Sequence, residues 1–207
     1  MRLCDIGNSY FHFWDDGRMW HEPVTTTPRA EGVIYAASVN PDGLQRLRAS
    51  GAEVIDIAPW VELPGAYPGL GVDRALACLG VGHGVVIDAG SAITVDIIRE
   101  GVYEGGFVLP GLNAWQRALA GISSVLDYPL NRPVAKDRLP SSTAEGVIYG
   151  VAAPLQAWLW LHAKGLMIVG TGGSSEWLRQ TIEGITIVQD LIFQGMIKVI
   201  RTKGVVC

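Results

Sequence analysis

The sequence predicts an α/β protein built from two similar lobes, and three observations indicate this fold class. Apolar runs typical of strands alternate with runs of helical periodicity along most of the chain, as in mixed sheets flanked by helices. One strand–loop–strand pattern occurs at residues 5–17 and again at 88–101. The 207 residues, of which 49% are apolar, are enough to bury the cores of two small lobes.

The first part of the chain is predicted to form five strands and two helices. Apolar and β-branched residues cluster at 1–8, 9–14, 18–26, 32–39 and 52–58, which indicates strands. An Asp-Asp-Gly turn is expected at residues 15–17. Asn40, Pro41 and Gly51 are suited to a helix cap, a first helical position and a helix stop, so a helix is expected there. The second helix is expected at residues 74–82.

The second part is predicted to contain strands followed by a mostly helical tail. Strands are expected at residues 84–101 (two, joined at Gly90 and Ser91), 102–111, 166–170 and near 185–188, and helices at 112–123, from about 142 to 164, after 175 and at the end. The segment 124–141 contains three prolines and is expected to be irregular.

Three glycine-containing loops follow predicted strands. Two of them have related sequences, DIGNS at 5–9 and DAGSA at 88–92, and each leads into a second strand that ends in an acidic residue and a glycine. This repeat predicts two similar lobes, which we place at residues 1–80 and 81–207. The third loop has the sequence TGGSS at 171–175.

The composition of these loops indicates a nucleotide site that includes a cation. Glycine lets backbone amides approach anionic oxygens closely. Aspartate would repel bare phosphate, but not if Mg²⁺ or a monovalent ion lay between them. The sequence contains no P-loop, no dinucleotide fingerprint that opens a helix and no serine-hydrolase elbow. All four lysines lie outside the loops, so cations and backbone amides would have to neutralise the phosphate charge.

Charge and cysteine content argue against several other classes of protein. The net charge is −4 and there is no basic run, so nucleic acid is not an expected partner. Three cysteines without CxxC spacing suit a reducing, cytoplasmic setting, and no signal peptide is visible. The uncharged segment 146–162 is short for a membrane span and contains Pro154, so it predicts a buried helix.

The segment from Tyr67 to Arg74 is open to two interpretations. Asp73 precedes a predicted helix, where an acidic residue complements the helix dipole, and Arg74 could simply be solvated. Alternatively, Asp73 accepts a proton from a substrate hydroxyl while Arg74 binds a substrate carboxylate.

Taken together, six segments resemble the type III pantothenate kinases of the acetate and sugar kinase/Hsp70/actin superfamily. These segments are DIGNS (5–9), YPGLGVDR (67–74), DAGSAITVD (88–96), GGFVLPGL (105–112), STAEGVIYG (142–150) and TGG (171–173). The resemblance implies two ribonuclease-H-like lobes with mixed sheets flanked by helices, the actin-like ATPase fold. It also implies a homodimer that converts ATP and pantothenate to phosphopantothenate in the first step of coenzyme A synthesis.

The resemblance further implies a role for each matching residue. ATP would be bound by Asp5, Ile6, Gly7, Asn8, Ser9 and Ser91, and pantothenate by Tyr67, Gly71, Val72, Asp73, Arg74 and Thr143. Asp73 would be the catalytic base, and Asp5 would hold Mg²⁺ through water. Asp88 would ligate a monovalent cation, K⁺ or NH₄⁺. Ser9 and Ser91 stand where the family usually has threonine, and both keep the hydroxyl.

The helix that begins near Ser142 is apolar on nearly all sides, which predicts that a second subunit covers it. We expect Trp158 and Leu159 to lie in this contact and Thr143 to reach the partner's substrate. The alternative is burial within one chain.

Two other functions stay open. The first is phosphorylation of another small molecule, such as a sugar or acetate, although a sugar needs no arginine for a carboxylate. The second is nucleotide-binding regulation without catalysis, against which the presence of Asp5, Asp73 and Asp88 together argues.

Overall fold

The structure is a computed structural model that describes residues 1–133 and 138–204, and these form two compact units. The first unit comprises residues 1–82, 98–104 and the chain from 190 onward, and the second comprises 83–97 and 105–189. The predicted lobes 1–80 and 81–207 do not coincide with these compact units, because the C-terminal helix belongs to the first unit.

The sheet of the first unit has five strands and mixed pairing. Its central strand β1 (Arg2–Ile6) pairs antiparallel with β2 (Tyr10–Asp15), which pairs antiparallel with β3 (Arg18–Pro23). On the other side, β1 pairs parallel with β4 (Val33–Ser38), and β4 pairs parallel with β5 (Glu53–Asp56). The order is thus third, second, first, fourth and fifth strand.

The second sheet repeats this order with the next five strands. Its central strand β6 (Gly84–Ala89) lies between β7 (Ala92–Arg99) and β9 (Ile168–Thr171), and the outer strands are β8 (Val102–Pro110) and β10 (Thr186–Ile187). The β6–β9 and β9–β10 pairs are parallel. Equal strand orders in two successive sheets confirm the prediction of two similar halves with mixed sheets.

Six α-helices complete the elements of the described residues: α1 (Pro41–Arg48), α2 (Val72–Val81), α3 (Leu112–Ile122), α4 (Thr143–His162), α5 (Ser175–Thr181) and α6 (Leu191–Thr202). The predicted cap of α1 is confirmed, since the Asn40 side chain accepts a hydrogen bond from the Gly43 amide at 3.0 Å. The predicted start of α2 at residue 74 is wrong, because the helix already begins at Val72.

Two short 3₁₀ helices, Ala58–Trp60 and Ser124–Leu126, were not predicted. The second lies within the segment that was expected to be irregular. Residues 134–137 of that segment lie outside the described residues.

Close packing of α2 against α6 explains why the C-terminal helix belongs to the first unit. A Cβ atom at Gly195 would overlap the backbone of Leu76, and one at Gly80 would lie 2.8 Å from the carbonyl oxygen of Leu191. Glycine at these two positions therefore lets the helix backbones approach each other.

Helix α4 is only partly buried within its own unit. Ile148, Val151, Leu155 and Leu159 belong to the apolar core around the second sheet, whereas Trp160 is 80% exposed. Within the described residues, none of the helices combines the length and the apolar character that crossing a lipid bilayer requires.

Candidate active site

The first predicted phosphate loop follows β1 and turns tightly into β2. The Gly7 amide donates to the Tyr10 carbonyl at 3.0 Å, which closes the turn that contains the exposed residues Asn8 and Ser9. Asp5 lies in the last part of the strand and is only 7% exposed. Two exposed polar residues therefore follow a buried carboxylate across one tight turn, which is the composition expected of a phosphate and cation site.

Cys4 and His12 are neighbours of Asp5 on the first sheet, and the Cys4 thiol is not suited to act as a nucleophile at this site. Burial, and after it the charges of Asp5 and Glu22, raise the pKa of the Cys4 thiol well above its usual value. Cys4 is therefore protonated at neutral pH and is unsuited to nucleophilic attack. His12 lies opposite Asp5 in the β1–β2 register, and burial followed by the charge of His21 lowers its pKa.

The second predicted loop joins β6 to β7 and contacts the start of α3. The Gly90 amide donates to the Ala92 carbonyl at 2.9 Å, and the Gly111 amide donates to the Ser91 carbonyl at 3.2 Å. A Cβ atom at Gly111 would lie 2.5 Å from the carbonyl oxygens of Gly90 and Ser91. The glycine at the N-cap of α3 is thus needed for this close approach.

The third glycine loop meets Asp88 within the second unit. The Ser174 amide donates to the Ala89 carbonyl at 2.8 Å. Gly172 has a φ of +90°, and a Cβ atom there would collide with Oδ1 of Asp88 and with the backbone of Ala89. The two loops that were predicted separately from the sequence therefore form one surface around the Asp88 carboxylate.

The predicted substrate segment consists of two turns that lead into α2. Turns close at 63–66 and 67–70, where the amides of Ala66 and Leu70 donate to the carbonyls of Leu63 and Tyr67. Each turn has proline second and glycine third, and both glycines have positive φ, as type II turns require. The segment therefore has a defined backbone, with residues 67–69 exposed and residues 70–74 partly buried.

Asp73 and Arg74 lie in the first turn of α2. Oδ1 of Asp73 accepts the Arg74 amide at 2.8 Å. The Arg74 guanidinium donates from Nη1 to the Tyr67 hydroxyl at 3.0 Å and from Nη2 to the Tyr103 hydroxyl at 3.1 Å. The structure thus places Tyr67 and Asp73 in contact with Arg74, next to Gly71 and Val72. Tyr103, on β8, was missed, because no spacing or motif in the sequence connects it to this segment.

Thr143 is the first residue of α4 and is exposed. Two local hydrogen bonds stabilise the helix start: Oγ of the N-cap Ser142 accepts the Glu145 amide at 3.2 Å, and the Glu145 carboxylate accepts the amide of the preceding Ser141 at 2.8 Å. Two hydrogen bonds from Arg138, each 2.7 Å, together with the Ser141 amide lower the pKa of Glu145 to about 2.

An open apolar groove lies beside Thr143, between α3 and α4. It has a volume of about 450 Å³ and is lined by Trp115, Leu119, Thr143, Gly146, Val147, Gly150 and Val151. Cβ atoms at Gly146 and Gly150 would have open space around them, so none of the residues that the structure describes fills this face of α4.

The predicted site residues are divided between the two units. Residues 5–9 and 67–74 belong to the first unit, and Asp88, Ser91 and Thr143 belong to the second. Among the described residues, no three His, Cys, Asp or Glu side chains are grouped to hold a metal ion.

Comparison with known proteins identifies similar sequences and folds. The family model for type III pantothenate kinases matches residues 9–158. The chain is 38% identical to a type III pantothenate kinase of Wolinella succinogenes over 97% of both chains.

Two solved structures show the likeness of the fold. One, from Campylobacter jejuni and provisionally described as a Baf family transcriptional activator, has 31% identity, a TM-score of 0.84 and 99% coverage of both chains. The other, from Sinorhizobium meliloti and provisionally described as a 2-dehydro-3-deoxygalactonokinase, has 13% identity and a TM-score of 0.55, and the match covers 100% of this chain and 97% of the other. The second likeness concerns the fold alone, and it agrees with the predicted fold class.

Proposed function

The chain belongs to the type III pantothenate kinase family, and we infer from this premise that it transfers the γ-phosphoryl group of ATP to pantothenate. The product is 4′-phosphopantothenate, and the reaction is the first step of coenzyme A synthesis. One observation in the structure carries the proposal beyond family membership. Asp73 and Arg74 are adjacent at one helix start, so a carboxylate base and a carboxylate-binding cation are held side by side.

Asp73 is proposed as the general base. Its carboxylate accepts the proton of the substrate hydroxyl as that oxygen attacks the γ-phosphorus, and ADP leaves with the electron pair of the broken P–O bond. The position at the N-terminus of α2 favours the ionised carboxylate, because the helix dipole is positive there.

Arg74 is proposed to bind the carboxylate of pantothenate, with Tyr67, Gly71 and Val72 completing the contact. A guanidinium matches a carboxylate through two parallel hydrogen bonds. The Tyr67 hydroxyl accepts from Arg74 and still has its own proton to donate to the substrate. A sugar has no carboxylate, so this pair favours an acidic substrate.

The loops 5–9 and 88–91 are proposed to bind ATP through backbone amides and the hydroxyls of Ser9 and Ser91. Neither loop contains a basic side chain, so the phosphate charge must be balanced by cations. Mg²⁺ is usually bound by one or two carboxylates together with phosphate oxygens and water, and the buried Asp5 fits this description. When bound, Mg²⁺ neutralises charge on the phosphates.

Asp88 is proposed to ligate a monovalent cation, K⁺ or NH₄⁺. The proposal rests on the close packing of the glycine loop around this carboxylate. Gly172 has no side chain, and a Cβ atom there would collide with Oδ1 of Asp88. Backbone carbonyls and a single carboxylate suit a singly charged ion better than a bare phosphate.

A homodimer formed through α4 is proposed, with Thr143 contributing to the substrate site of the partner. The open groove between α3 and α4 supports an uncovered apolar face, and Trp160 is a further exposed apolar side chain of α4. Leu159 does not belong to that face, because it is 6% exposed and packs in the core of its own unit. Trp158 packs edge-on against Phe107, with ring centroids 4.8 Å apart.

A cytoplasmic location is also proposed. Cys4 and Cys78 are both buried thiols, which suits a reducing compartment.

A regulatory role without catalysis is the competing interpretation, and the description of the Campylobacter jejuni structure names such a role for that protein. An assay of ADP release separates the two. Purified protein with ATP, Mg²⁺ and K⁺ should release ADP when pantothenate is added, and much less with acetate or a sugar. ADP release that does not depend on pantothenate would contradict the proposal.

A further inference from the structure

Tyr103 has three contacts that concern the substrate segment. Its backbone amide donates to the Pro64 carbonyl at 2.8 Å, its hydroxyl accepts from Arg74 Nη2 at 3.1 Å, and its ring lies against that of Tyr67 with centroids 6.1 Å apart. Tyr103 is only 4% exposed. One residue of the sheet therefore contacts both the turn that starts the segment and the guanidinium near its end.

The backbone of the turn at 63–66 packs directly against the backbone of Tyr103, with no side chain between them. Gly65 has a φ of +81°, and a Cβ atom there would collide with the Tyr103 carbonyl. The second turn, at 67–70, carries Tyr67 and continues into α2. The position of the whole segment thus depends on how the first turn fits against Tyr103.

Arg74 donates hydrogen bonds to two phenol groups that differ in burial. Tyr67 is 49% exposed and lies on a surface turn, whereas Tyr103 is buried on a strand. A long arginine side chain loses considerable rotamer entropy when it is fixed, so a rigid acceptor that is already in place lowers the cost of presenting the guanidinium. The buried hydroxyl is suited to that role and the exposed one to direct contact with substrate.

We propose that Tyr103 is a positioning residue that fixes the Arg74 guanidinium for recognition of the substrate carboxylate. The inference rests on the proposed function, since it concerns how that carboxylate is recognised. Tyr103 acts through Arg74 and the turn at 63–66, and it takes no part in proton or phosphoryl transfer.

The test compares Tyr103→Phe with the matched control Tyr35→Phe, and each change removes one phenolic hydroxyl from the first unit. Among the described residues, the Tyr35 hydroxyl makes no hydrogen bond, and its ring lies near Trp60. Steady-state kinetics are measured with pantothenate and with an analogue whose carboxylate is replaced by a primary alcohol. Thermal unfolding of each variant checks that it is folded.

Loss of a hydrogen bond to a charged group predicts about a tenfold rise in KM for pantothenate in Tyr103→Phe. The kcat, the KM for ATP and the kcat/KM for the alcohol analogue should stay within about twofold of wild type. The preference for the acid over the alcohol should therefore fall by about tenfold, and Tyr35→Phe should change none of these quantities. The inference would be overturned if kcat/KM fell equally for pantothenate and the alcohol analogue, or if the kinetic constants of Tyr103→Phe matched those of Tyr35→Phe.

A double-mutant cycle with Arg74→Lys tests whether Tyr103 acts through Arg74. If it does, adding Tyr103→Phe to Arg74→Lys raises the KM for pantothenate by less than about twofold, because the positioned group is already gone. If the two substitutions instead raised the KM for pantothenate by independent factors that multiply in the double variant, the inference would be contradicted.

Should Tyr103→Phe fail to fold, Gly65→Ala provides the same test, because it displaces the turn from the Tyr103 carbonyl and should raise the same KM selectively. A Gly65→Ala enzyme with wild-type KM would then overturn the inference. A wild-type protein that does not phosphorylate pantothenate would contradict the proposed function itself. Failure of the inference alone leaves the wild-type activity intact.

Discussion

The carboxylate of Asp73 accepts a hydrogen bond from the backbone amide of Arg74, with 2.8 Å between N and Oδ1. The base candidate is thus held at the N-terminus of α2, and the following residue directs its guanidinium toward Tyr67 and Tyr103. One helix start therefore provides both a proton acceptor and a cation for the substrate carboxylate.

Replacing Asp73 by Asn should preserve the fold and remove most activity. The amide oxygen of Asn can still accept the Arg74 amide, but it cannot take up a proton at neutral pH. General-base catalysis typically contributes ~10²–10⁴-fold, so kcat should fall by that order while the melting temperature changes little. Turnover near the wild-type rate would remove Asp73 from the mechanism.

Activity should require K⁺ or NH₄⁺ if Asp88 ligates a monovalent cation. Initial rates are measured in K⁺, NH₄⁺ and Na⁺ buffers at equal ionic strength. Asp88→Asn should raise the KM for ATP more than the KM for pantothenate, because the ion faces the phosphates. Full activity in Na⁺ alone would count against this assignment.

Gly111→Ala should disturb the second phosphate loop. The added Cβ atom would press on the carbonyl oxygens of Gly90 and Ser91, which it would approach to 2.5 Å. We expect a raised KM for ATP and a lower melting temperature. Gly121→Ala is the matched control, since a Cβ atom there has open space on the same helix and should be tolerated. Equal behaviour of the two variants would show that the close approach has no importance for ATP binding.

Acid sensitivity of the α4 start should depend on Glu145. Its pKa is lowered to about 2 from the usual 4.5, so the unfolded chain takes up a proton at higher pH than the folded one. The contribution to stability is complete above pH 4.5 and is lost as the pH falls toward 2. Glu145→Gln should reduce the fall in melting temperature between these values.

Glu183→Gln is the control for that experiment, because Glu183 is exposed and makes no ion pair within the described part of the chain. An unchanged acid profile in Glu145→Gln would show that the pair with Arg138 does not contribute to stability.

Trp160→Glu should separate the proposed subunits without unfolding them. The side chain is 80% exposed in a single chain, so a charge there costs little unless a partner covers it. Light scattering should show a dimer for wild type and a monomer of lower activity for the variant. Met19→Glu, which changes an exposed residue on β3, should stay dimeric. A wild-type monomer with full activity would disprove the proposed dimer.

Local signals predicted much of the fold because they depend on neighbouring residues. The repeat of DIGNS and DAGSA predicted two similar sheets, and Asn40 and Ser142 marked helix starts that the caps confirm. The helix at Asp73 was predicted two residues late, because Gly71 and Val72 are weak helix formers.

Long-range contacts could not be predicted in the same way. Tyr103 meets Arg74 across 29 positions of sequence, and nothing in a strand of alternating residues indicates such a partner. The grouping of α6 with the first unit depends on two glycines that let helices approach, Gly80 and Gly195. The apolar residues of α4 were expected to be covered by a second subunit, but most of them lie in the core of their own unit.

The most direct test of the central claim is detection of the product itself. Mass spectrometry of a reaction that contains the protein, ATP, Mg²⁺, K⁺ and pantothenate should show one phosphoryl group added to pantothenate, with an equal amount of ADP. The same reaction with Asp73→Asn should show almost none. If wild-type protein forms ADP without phosphorylated pantothenate, or forms neither, the account is contradicted.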